Sequence, residues 1–139
     1  MAGTGMEGAA APQGGTTLLV IDDNPALQHA VRCLPAGEQL HCVLAGDSIE
    51  GLCCIVEHRP SVVLLDSEVA PLDAWRFALL VKEHPDYRHI RLVLAGNVVD
   101  DTLRARAEAV GIAAVLGKPF TTEELQQSLF PVRRAGARS

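Results

Sequence analysis

Short apolar runs alternate with longer amphipathic segments along the chain from Thr17 onward. The runs have the length of strands and the amphipathic segments have the length and periodicity of helices. This alternation is typical of repeated strand-helix units. The predicted strands are Thr17–Ile21, Leu40–Ala45, Ser61–Leu65, Ile90–Ala95 and Ala113–Leu116. The first, third and fourth are largely apolar, which indicates a parallel sheet that helices cover on both faces.

The segments after the strands carry start and stop signals for helices. Asn24 is placed to cap the first helix, which Pro25 opens and which Pro35 and Gly37 end. The other predicted helices run from the Asp47 and Glu50 pair to His58, over Ala74–Glu83 after Asp73, over Asp100–Val110, and from Thr122 behind a Thr121 and Glu124 capping box. The prediction is an α/β fold, a doubly wound five-stranded parallel sheet in a three-layer sandwich.

Length, composition and charge restrict the function. With 139 residues the chain can bury a single core. Its net charge of -5 argues against a nucleic-acid-binding surface, and no apolar stretch approaches the roughly 20 residues that cross a bilayer. We therefore expect a soluble cytoplasmic protein with no nucleic-acid or membrane partner. The cysteines show no metal-ligand or Cys-x-x-Cys spacing and are expected to be reduced packing residues: Cys33, Cys42, Cys53 and Cys54.

Both ends of the chain differ in composition from its middle. Residues 1–16 are rich in Gly, Ala and Thr and show no periodicity, so they are predicted to form a flexible leader. Residues 131–139 carry Arg133, Arg134 and Arg138 and are predicted to form a basic flexible tail. One folded domain is therefore expected over residues 17–130.

Charged residues follow three of the predicted strands. Asp22 and Asp23 end the first, Asp66 ends the third, and Lys118 comes two residues after the fifth. The carboxyl ends of parallel strands share one edge of a sheet, so these groups are expected to meet in one crevice. Each residue alone is commonly a turn or surface residue. Turn chemistry does not require all of them together, so their joint placement favours a functional site.

The expected chemistry is phosphoryl transfer with a metal ion. Clustered carboxylates repel one another unless a cation neutralises them, and their hard oxygens suit Mg²⁺. Asp66 could then attack phosphorus as a nucleophile, while the metal and Lys118 stabilise charge on the transferred group. The product would be an aspartyl phosphate.

Three motifs resemble the receiver domain of two-component response regulators, the family of the chemotaxis regulator. They are Val20–Asp23, Val63–Asp66 and Gly117–Phe120, within a likeness that covers about residues 17–129. The resemblance implies a flavodoxin-like fold with strand order 2-1-3-4-5. A weaker likeness is to receivers of chemotaxis-like systems that control type IV pilus motility.

The same resemblance implies a role for each site residue. Asp66 would be the phosphoacceptor. It would also hold Mg²⁺, together with Asp22, Asp23 and the backbone carbonyl of Glu68. Lys118 would contact the phosphoryl group, next to a Lys118-Pro119 bond that is usually cis in this family. A histidine kinase would supply the phosphoryl group. A downstream protein would bind the face formed by helix four, strand five and helix five.

Two residues depart from the family pattern. Ala95 stands where a Thr or Ser hydroxyl usually bonds the phosphoryl group, and Val115 stands where an aromatic switch residue is usual. Both halves of the usual coupling are therefore absent at these switch positions.

Three functions follow from these observations. The first is a stand-alone receiver that accepts phosphate on Asp66 and signals by protein contacts, catalysing only its own phosphorylation and dephosphorylation. The second is an interaction module that acts independently of phosphate, which Ala95 and Val115 motivate. The third is a hydrolase of the haloacid dehalogenase type, suggested by Asp66-Ser67-Glu68. That family has its nucleophile on the first strand and needs a longer chain, which disfavours this third function.

Overall fold

A computed structural model describes residues 16–32, 34 and 40–131. Over these residues, strands and helices alternate in five pairs. The elements are β1 Thr16–Ile21, α1 Pro25–Arg32, β2 Leu40–Ala45, α2 Ser48–His58, β3 Val62–Asp66, α3 Ala74–Glu83, β4 Arg91–Gly96, α4 Asp101–Ala109, β5 Ala114–Gly117 and α5 Thr122–Leu129. All the predicted strands are confirmed, and each observed boundary lies within one residue of the predicted one.

The strands form one parallel sheet in the order β2-β1-β3-β4-β5. This order confirms the doubly wound topology 2-1-3-4-5 of the sequence prediction. The direction of winding reverses between β1 and β3, because β2 lies on one side of β1 and the later strands lie on the other. A crevice at the carboxyl ends of these two strands is the usual ligand site of such sheets.

Apolar residues form a core on each face of the sheet. Leu19 and Ile21 of β1 face the cluster that includes α2, α3 and α4, whereas Leu18 and Val20 face the cluster that includes α1 and α5. Leu18–Ile21 and Val63–Leu65 have no exposed surface. Because side chains alternate along a strand, this buried register also decides which way the residues at the strand ends point.

Most of the predicted helix caps are confirmed by hydrogen bonds. Asp73 accepts a hydrogen bond from the Arg76 backbone N–H at 2.8 Å. Thr121 and Glu124 form the reciprocal capping box of α5. The sequence predicted a helix start near Asp100. The Asp100 side chain accepts from the Leu103 N–H at 2.8 Å, so Asp100 caps α4. A short acidic side chain at this position satisfies an N–H that has no partner within the helix.

The start of α2 also differs from a full capping box. Asp47 caps the helix by accepting from the Glu50 N–H at 2.8 Å, as predicted. The Glu50 carboxylate reaches the Gly46 N–H at 2.8 Å, one residue before the position that a capping box uses. This contact ties the loop after β2 to the first turn of α2.

Several sequence predictions lie outside the described residues. These are the leader up to residue 15, the end of the first helix at Pro35 and Gly37, Cys33, and the arginines of the tail. Thr16 was assigned to the leader but pairs with Leu40, so β1 begins one residue earlier. The three described cysteines are free thiols: Cys42, Cys53 and Cys54. In the described part of the chain, no helix is long and apolar enough to cross a membrane.

Candidate functional site

Asp22 and Asp66 stand at the carboxyl ends of the two central strands. The Asp22 N–H donates to the Ala45 carbonyl at 3.0 Å, so the β1–β2 ladder extends to the acidic residue itself. Asp66 is the last residue of β3 and pairs in register with Ala95 of β4. The Asp22 side chain is 8% exposed and the Asp66 side chain 21% exposed. The sheet therefore holds both carboxylates at one partly buried edge.

Lys118 joins these two carboxylates. Its Nζ lies 2.8 Å from Asp66 Oδ1 and 3.3 Å from Asp22 Oδ2. Its backbone N–H donates to the Gly96 carbonyl at 2.9 Å, and the following Lys118-Pro119 bond is cis, as the family resemblance implied. The structure thus brings together three of the charged residues that the sequence predicted to meet.

The two carboxylates hold the Lys118 ammonium in its charged form. Burial is the largest single influence and lowers the Lys118 pKa, but the hydrogen bond and charge of Asp66, together with the charge and hydrogen bond of Asp22, raise it. The net effect is a Lys118 pKa above its ordinary value of 10.5. Lys118 therefore presents a permanent positive charge to Asp66 at neutral pH.

Backbone N–H groups hold the other oxygen of each carboxylate. Asp22 Oδ1 accepts from the Asn24 N–H at 2.9 Å, and Asp66 Oδ2 accepts from the Glu68 N–H at 3.0 Å. Each carboxylate is thus held between a backbone donor and Lys118. This fixes the orientation of both carboxylate groups.

An open cleft of about 420 Å³ lies over these residues. It is lined by Ile21, Asp22, Asp23, Gly46, Asp47, Asp66, Glu68, Val69 and Ala70. All the predicted metal-site residues therefore border one cleft. They differ in exposure, because Asp22 is buried whereas Asp23 and Glu68 are exposed.

The oxygen donors of the cleft suit Mg²⁺ in type. Across the described residues, no group of three or more His, Cys, Asp or Glu side chains is arranged so that it could hold a metal ion. Mg²⁺ does not require such a cage, because it keeps several waters and is usually bound by one or two carboxylates together with phosphate oxygens. Asp22 and Asp23 offer carboxylates of this kind, so the residues present fit this cation.

Sequence reasoning gave Asp47 a structural role only. Asp47 caps α2, and it also lines the cleft beside Asp23. Its position was available in the sequence, since it follows β2 at the same sheet edge as the other acids. The capping interpretation accounted for this residue and left its second location unnoticed.

The two switch positions differ in their surroundings. Ala95 is fully buried, faces the α1 and α5 cluster, and lies between Asp66 and Leu116 in the sheet register. Val115 packs against the opposite cluster. Ser67 lies close to Gly96, where a Cβ would be 2.7 Å from the Ser67 Oγ. A glycine at this position therefore allows the β3–α3 loop to approach the end of β4.

The chain is similar to known signalling proteins, although no family model matches it. It is 23% identical to Protein PilG of Pseudomonas aeruginosa over 80% of this chain and 82% of PilG. It is 30% identical to the response regulator MprA of a Mycobacterium species, over 78% of this chain and 46% of MprA. The chain thus spans less than half the length of several of the curated relatives it matches.

Solved structures show the same fold. The chemotaxis protein CheY4 of Vibrio cholerae superposes with a TM-score of 0.73 at 21% identity, over 83% of this chain and 99% of CheY4. The receiver domain of the sensor histidine kinase PA1611 of Pseudomonas aeruginosa superposes with a TM-score of 0.69 at 21% identity, over 81% and 93% of the two chains. That receiver was crystallised with a magnesium ion coordinated in its active-site cleft.

Proposed function

We propose that the chain is a CheY-like response regulator receiver domain, a module of two-component signalling, and that it accepts a phosphoryl group on Asp66. The observation that carries the proposal is the contact of Lys118 Nζ with Asp66 Oδ1 at 2.8 Å, beside Asp22 in an open acidic cleft. A nucleophilic carboxylate and a fixed cation thus stand where an incoming phosphoryl group could reach both.

The proposed step transfers phosphorus from a donor to the Asp66 carboxylate. A bond forms between an Asp66 oxygen and phosphorus as the bond from phosphorus to the donor breaks, and the donor leaves with its electron pair. Lys118 supplies a positive charge next to the oxygens of the transferred group. The Glu68 N–H, which bonds Asp66 Oδ2 at 3.0 Å, holds the carboxylate in place.

We propose Mg²⁺ as the cofactor of this step. Asp22 and Asp23 would hold it, with the backbone carbonyl of Glu68. When bound, the ion would neutralise negative charge on the phosphoryl oxygens. The support is the donor chemistry of the cleft and the magnesium ion found in the PA1611 receiver.

A histidine kinase is the proposed phosphoryl donor, and a protein that binds the α4, β5 and α5 face is the proposed target. The proposal of a histidine kinase rests on the similarity of the chain to response regulators. We propose a chemotaxis-like system of the type IV pilus class as the setting, from the weaker sequence likeness to receivers of such systems, and the similarity to PilG is consistent with it. The proposed folded domain is the one expected from the sequence, residues 17–130, extended by Thr16 of β1.

A second candidate function keeps the fold without the phosphate switch. Ala95 has no hydroxyl to bond a phosphoryl group, and Val115 has no aromatic ring to reorient. These residues favour a receiver whose protein contacts are independent of phosphorylation. Phosphoryl uptake that changes partner affinity supports the first function, and uptake without such a change supports the second.

The test of the first function is direct phosphorylation. Incubating the protein with Mg²⁺ and a small acyl phosphate should add one phosphoryl group, detected by intact-mass spectrometry. Asp66→Asn should abolish the addition because the amide is a much weaker nucleophile. Asp101→Asn, which removes an exposed acid of α4, is the matched control and should leave labelling unchanged. Equal labelling of wild type and Asp66→Asn would refute the assignment.

A further inference from the structure

Ser48 is a fully buried polar residue at the start of α2. It has no exposed surface, and it directly follows Asp47, which caps the helix. A buried hydroxyl and a buried N–H are both costly unless they have hydrogen-bond partners. Both groups of Ser48 find their partners outside α2, in the β3–α3 loop of residues 67–73.

Two hydrogen bonds join Ser48 to this loop. The Ser48 N–H donates to the Ala70 carbonyl at 3.2 Å, and the Ser48 Oγ accepts from the Leu72 N–H at 2.8 Å. The N–H groups of the first helical turn have no acceptor within their own helix, so the Ser48 N–H is available to a neighbouring segment. The side-chain bond joins residues 24 positions apart in the chain. We call this pair of bonds the Ser48 clamp.

The β3–α3 loop is attached to the rest of the fold on both sides of Glu68. On one side, the Ser67 N–H donates to the Ala95 carbonyl of β4 at 2.8 Å. On the other side, the Ser48 clamp holds the loop as far as Leu72. The backbone carbonyl of Glu68 is a proposed ligand of Mg²⁺. Because Glu68 lies between the two attachments, its position depends on both.

The clamp also joins the two walls of the acidic cleft. Gly46 and Asp47 line the cleft before α2, whereas Val69 and Ala70 line it in the β3–α3 loop. Ser48 directly follows the first pair and bonds Ala70 of the second pair. Ser48 does not itself line the cleft. One buried residue behind the cleft thus links the backbone segments that form its opposite walls.

We propose that Ser48 is a positioning residue of the Mg²⁺ site, which acts by holding the β3–α3 loop and with it the Glu68 carbonyl. This inference rests on the proposed function, because it requires that the cleft binds Mg²⁺. Residues that hold metal ligands in place commonly contribute about 10–100-fold to metal affinity. The clamp includes neither Asp66 nor Lys118, so Ser48 should affect the binding of the ion and not the transfer step.

The first variant of the test is Ser48→Ala, which removes the hydroxyl and keeps the backbone N–H. In the metal-free full-length protein, hydrogen exchange followed by NMR should show a loss of protection of about tenfold or more at the Leu72 amide, which loses its acceptor. Isothermal titration should show Mg²⁺ binding weakened by about tenfold. At saturating Mg²⁺, the rate of phosphoryl uptake from a small acyl phosphate should equal that of the wild type.

Two further variants separate positioning from stability. Ile55→Val is the matched control, because Ile55 is a buried residue of the same helix, about two turns after Ser48. This change removes a methylene from the core, so it should lower the stability of the fold and leave Mg²⁺ affinity unchanged. Ser48→Thr restores a hydroxyl at this position. Across all these variants, Mg²⁺ affinity should follow the protection of the Leu72 amide, whether or not the Thr hydroxyl reaches it.

Three outcomes would count against this role. If Ser48→Ala lost protection at Leu72 but bound Mg²⁺ as the wild type does, Ser48 would support the fold alone. If Ile55→Val weakened Mg²⁺ binding as much as Ser48→Ala, lost stability would account for the effect. If the wild type bound no Mg²⁺ and took up no phosphoryl group, the proposed function itself would fail, and the role of Ser48 with it.

Discussion

Asp22 and Asp23 are adjacent in the chain but occupy different environments. Asp22 is 8% exposed and bonds Lys118, whereas Asp23 is exposed at the rim of the cleft. Their positions after β1 predicted that both acids reach the sheet edge. Nothing in the sequence distinguished them, because the difference depends on where Lys118 arrives from a distant strand. The structure thus assigns the ion pair to Asp22 and leaves Asp23 accessible.

This difference leads to a prediction about variants. Asp23→Ala removes an accessible metal ligand and should weaken Mg²⁺ binding by about tenfold or more. Lys118→Ala should leave the metal bound and slow phosphoryl uptake by about 100-fold, because a charge that stabilises the transferred group is lost. Isothermal titration with Mg²⁺ and time-resolved mass spectrometry measure the two effects. Unchanged Mg²⁺ affinity in Asp23→Ala would contradict the proposed metal site.

Lys118 and Lys82 should affect stability with opposite dependence on pH. The Lys118 pKa is raised in the fold, so the stability from its ion pairs is fully present below 10.5 and is lost as pH rises through the raised pKa. Burial lowers the Lys82 pKa, so stability rises with pH as Lys82 deprotonates. At neutral pH, Lys118→Met should lower the free energy of unfolding by about 1–3 kcal/mol, because Asp22 and Asp66 lose their cation.

Urea denaturation over a pH series checks both lysines. The difference in the free energy of unfolding between wild type and Lys118→Met should be constant around neutral pH and should shrink above pH 10.5. The free energy of unfolding of the wild type should rise relative to that of Lys82→Met as pH rises toward 10.5. If the difference between wild type and Lys118→Met instead grew with pH above 10.5, the ion-pair interpretation would be contradicted.

At the scale of elements, α5 has the start that the sequence specified most fully. Thr121 and Glu124 form the predicted capping box, and Phe120 and Leu125 both pack in the core cluster of α1 and α5. Thr121→Ala should lower the free energy of unfolding by about 1 kcal/mol, because the Glu124 N–H loses its acceptor. Thr121→Ser keeps the hydroxyl and should retain most of the stability. Equal losses in both variants, measured by urea denaturation, would show that the cap contributes little.

Other features of the elements could not be read from the sequence. The apolar runs located the central strands, because a buried parallel strand leaves an almost uninterrupted apolar segment. The start of α4 was predicted only as near Asp100, because a capping Asp and a first-turn Asp give the same signal in the sequence. Only its hydrogen bond to Leu103 distinguishes them. The complete burial of Ser48 was also hidden, since periodicity gives the direction of a side chain but not how far its neighbours cover it.

At the scale of the whole molecule, the fold joins residues that are far apart in the chain. Asp22 and Lys118 are separated by 96 positions and meet because both follow strands whose carboxyl ends share one edge. The convergence was predictable from topology alone. The contacts within the cleft were not, because they depend on side-chain orientation at the ends of three strands.

The same topology decides how far a phosphoryl signal could spread. A phosphoryl group shifts a conformational equilibrium only by its differential interaction with the two states. Ala95 lies opposite Asp66 in the register but offers no hydroxyl, and Val115 has no ring that could change between exposed and buried positions. We therefore expect the response to Asp66 modification to remain local.

Beryllofluoride, a phosphoryl mimic, should then perturb amide resonances near Asp66 and Lys118 more than those near Val115 and α5. Ala95→Thr should enlarge the distant response by restoring the hydroxyl, and adding Val115→Tyr should enlarge it further. Ala95→Val is the matched control, since it has the shape of Thr without the hydroxyl and should leave the response local. Large shifts across α4 and α5 in the wild type would show that another route carries the signal, because neither switch residue could then be limiting.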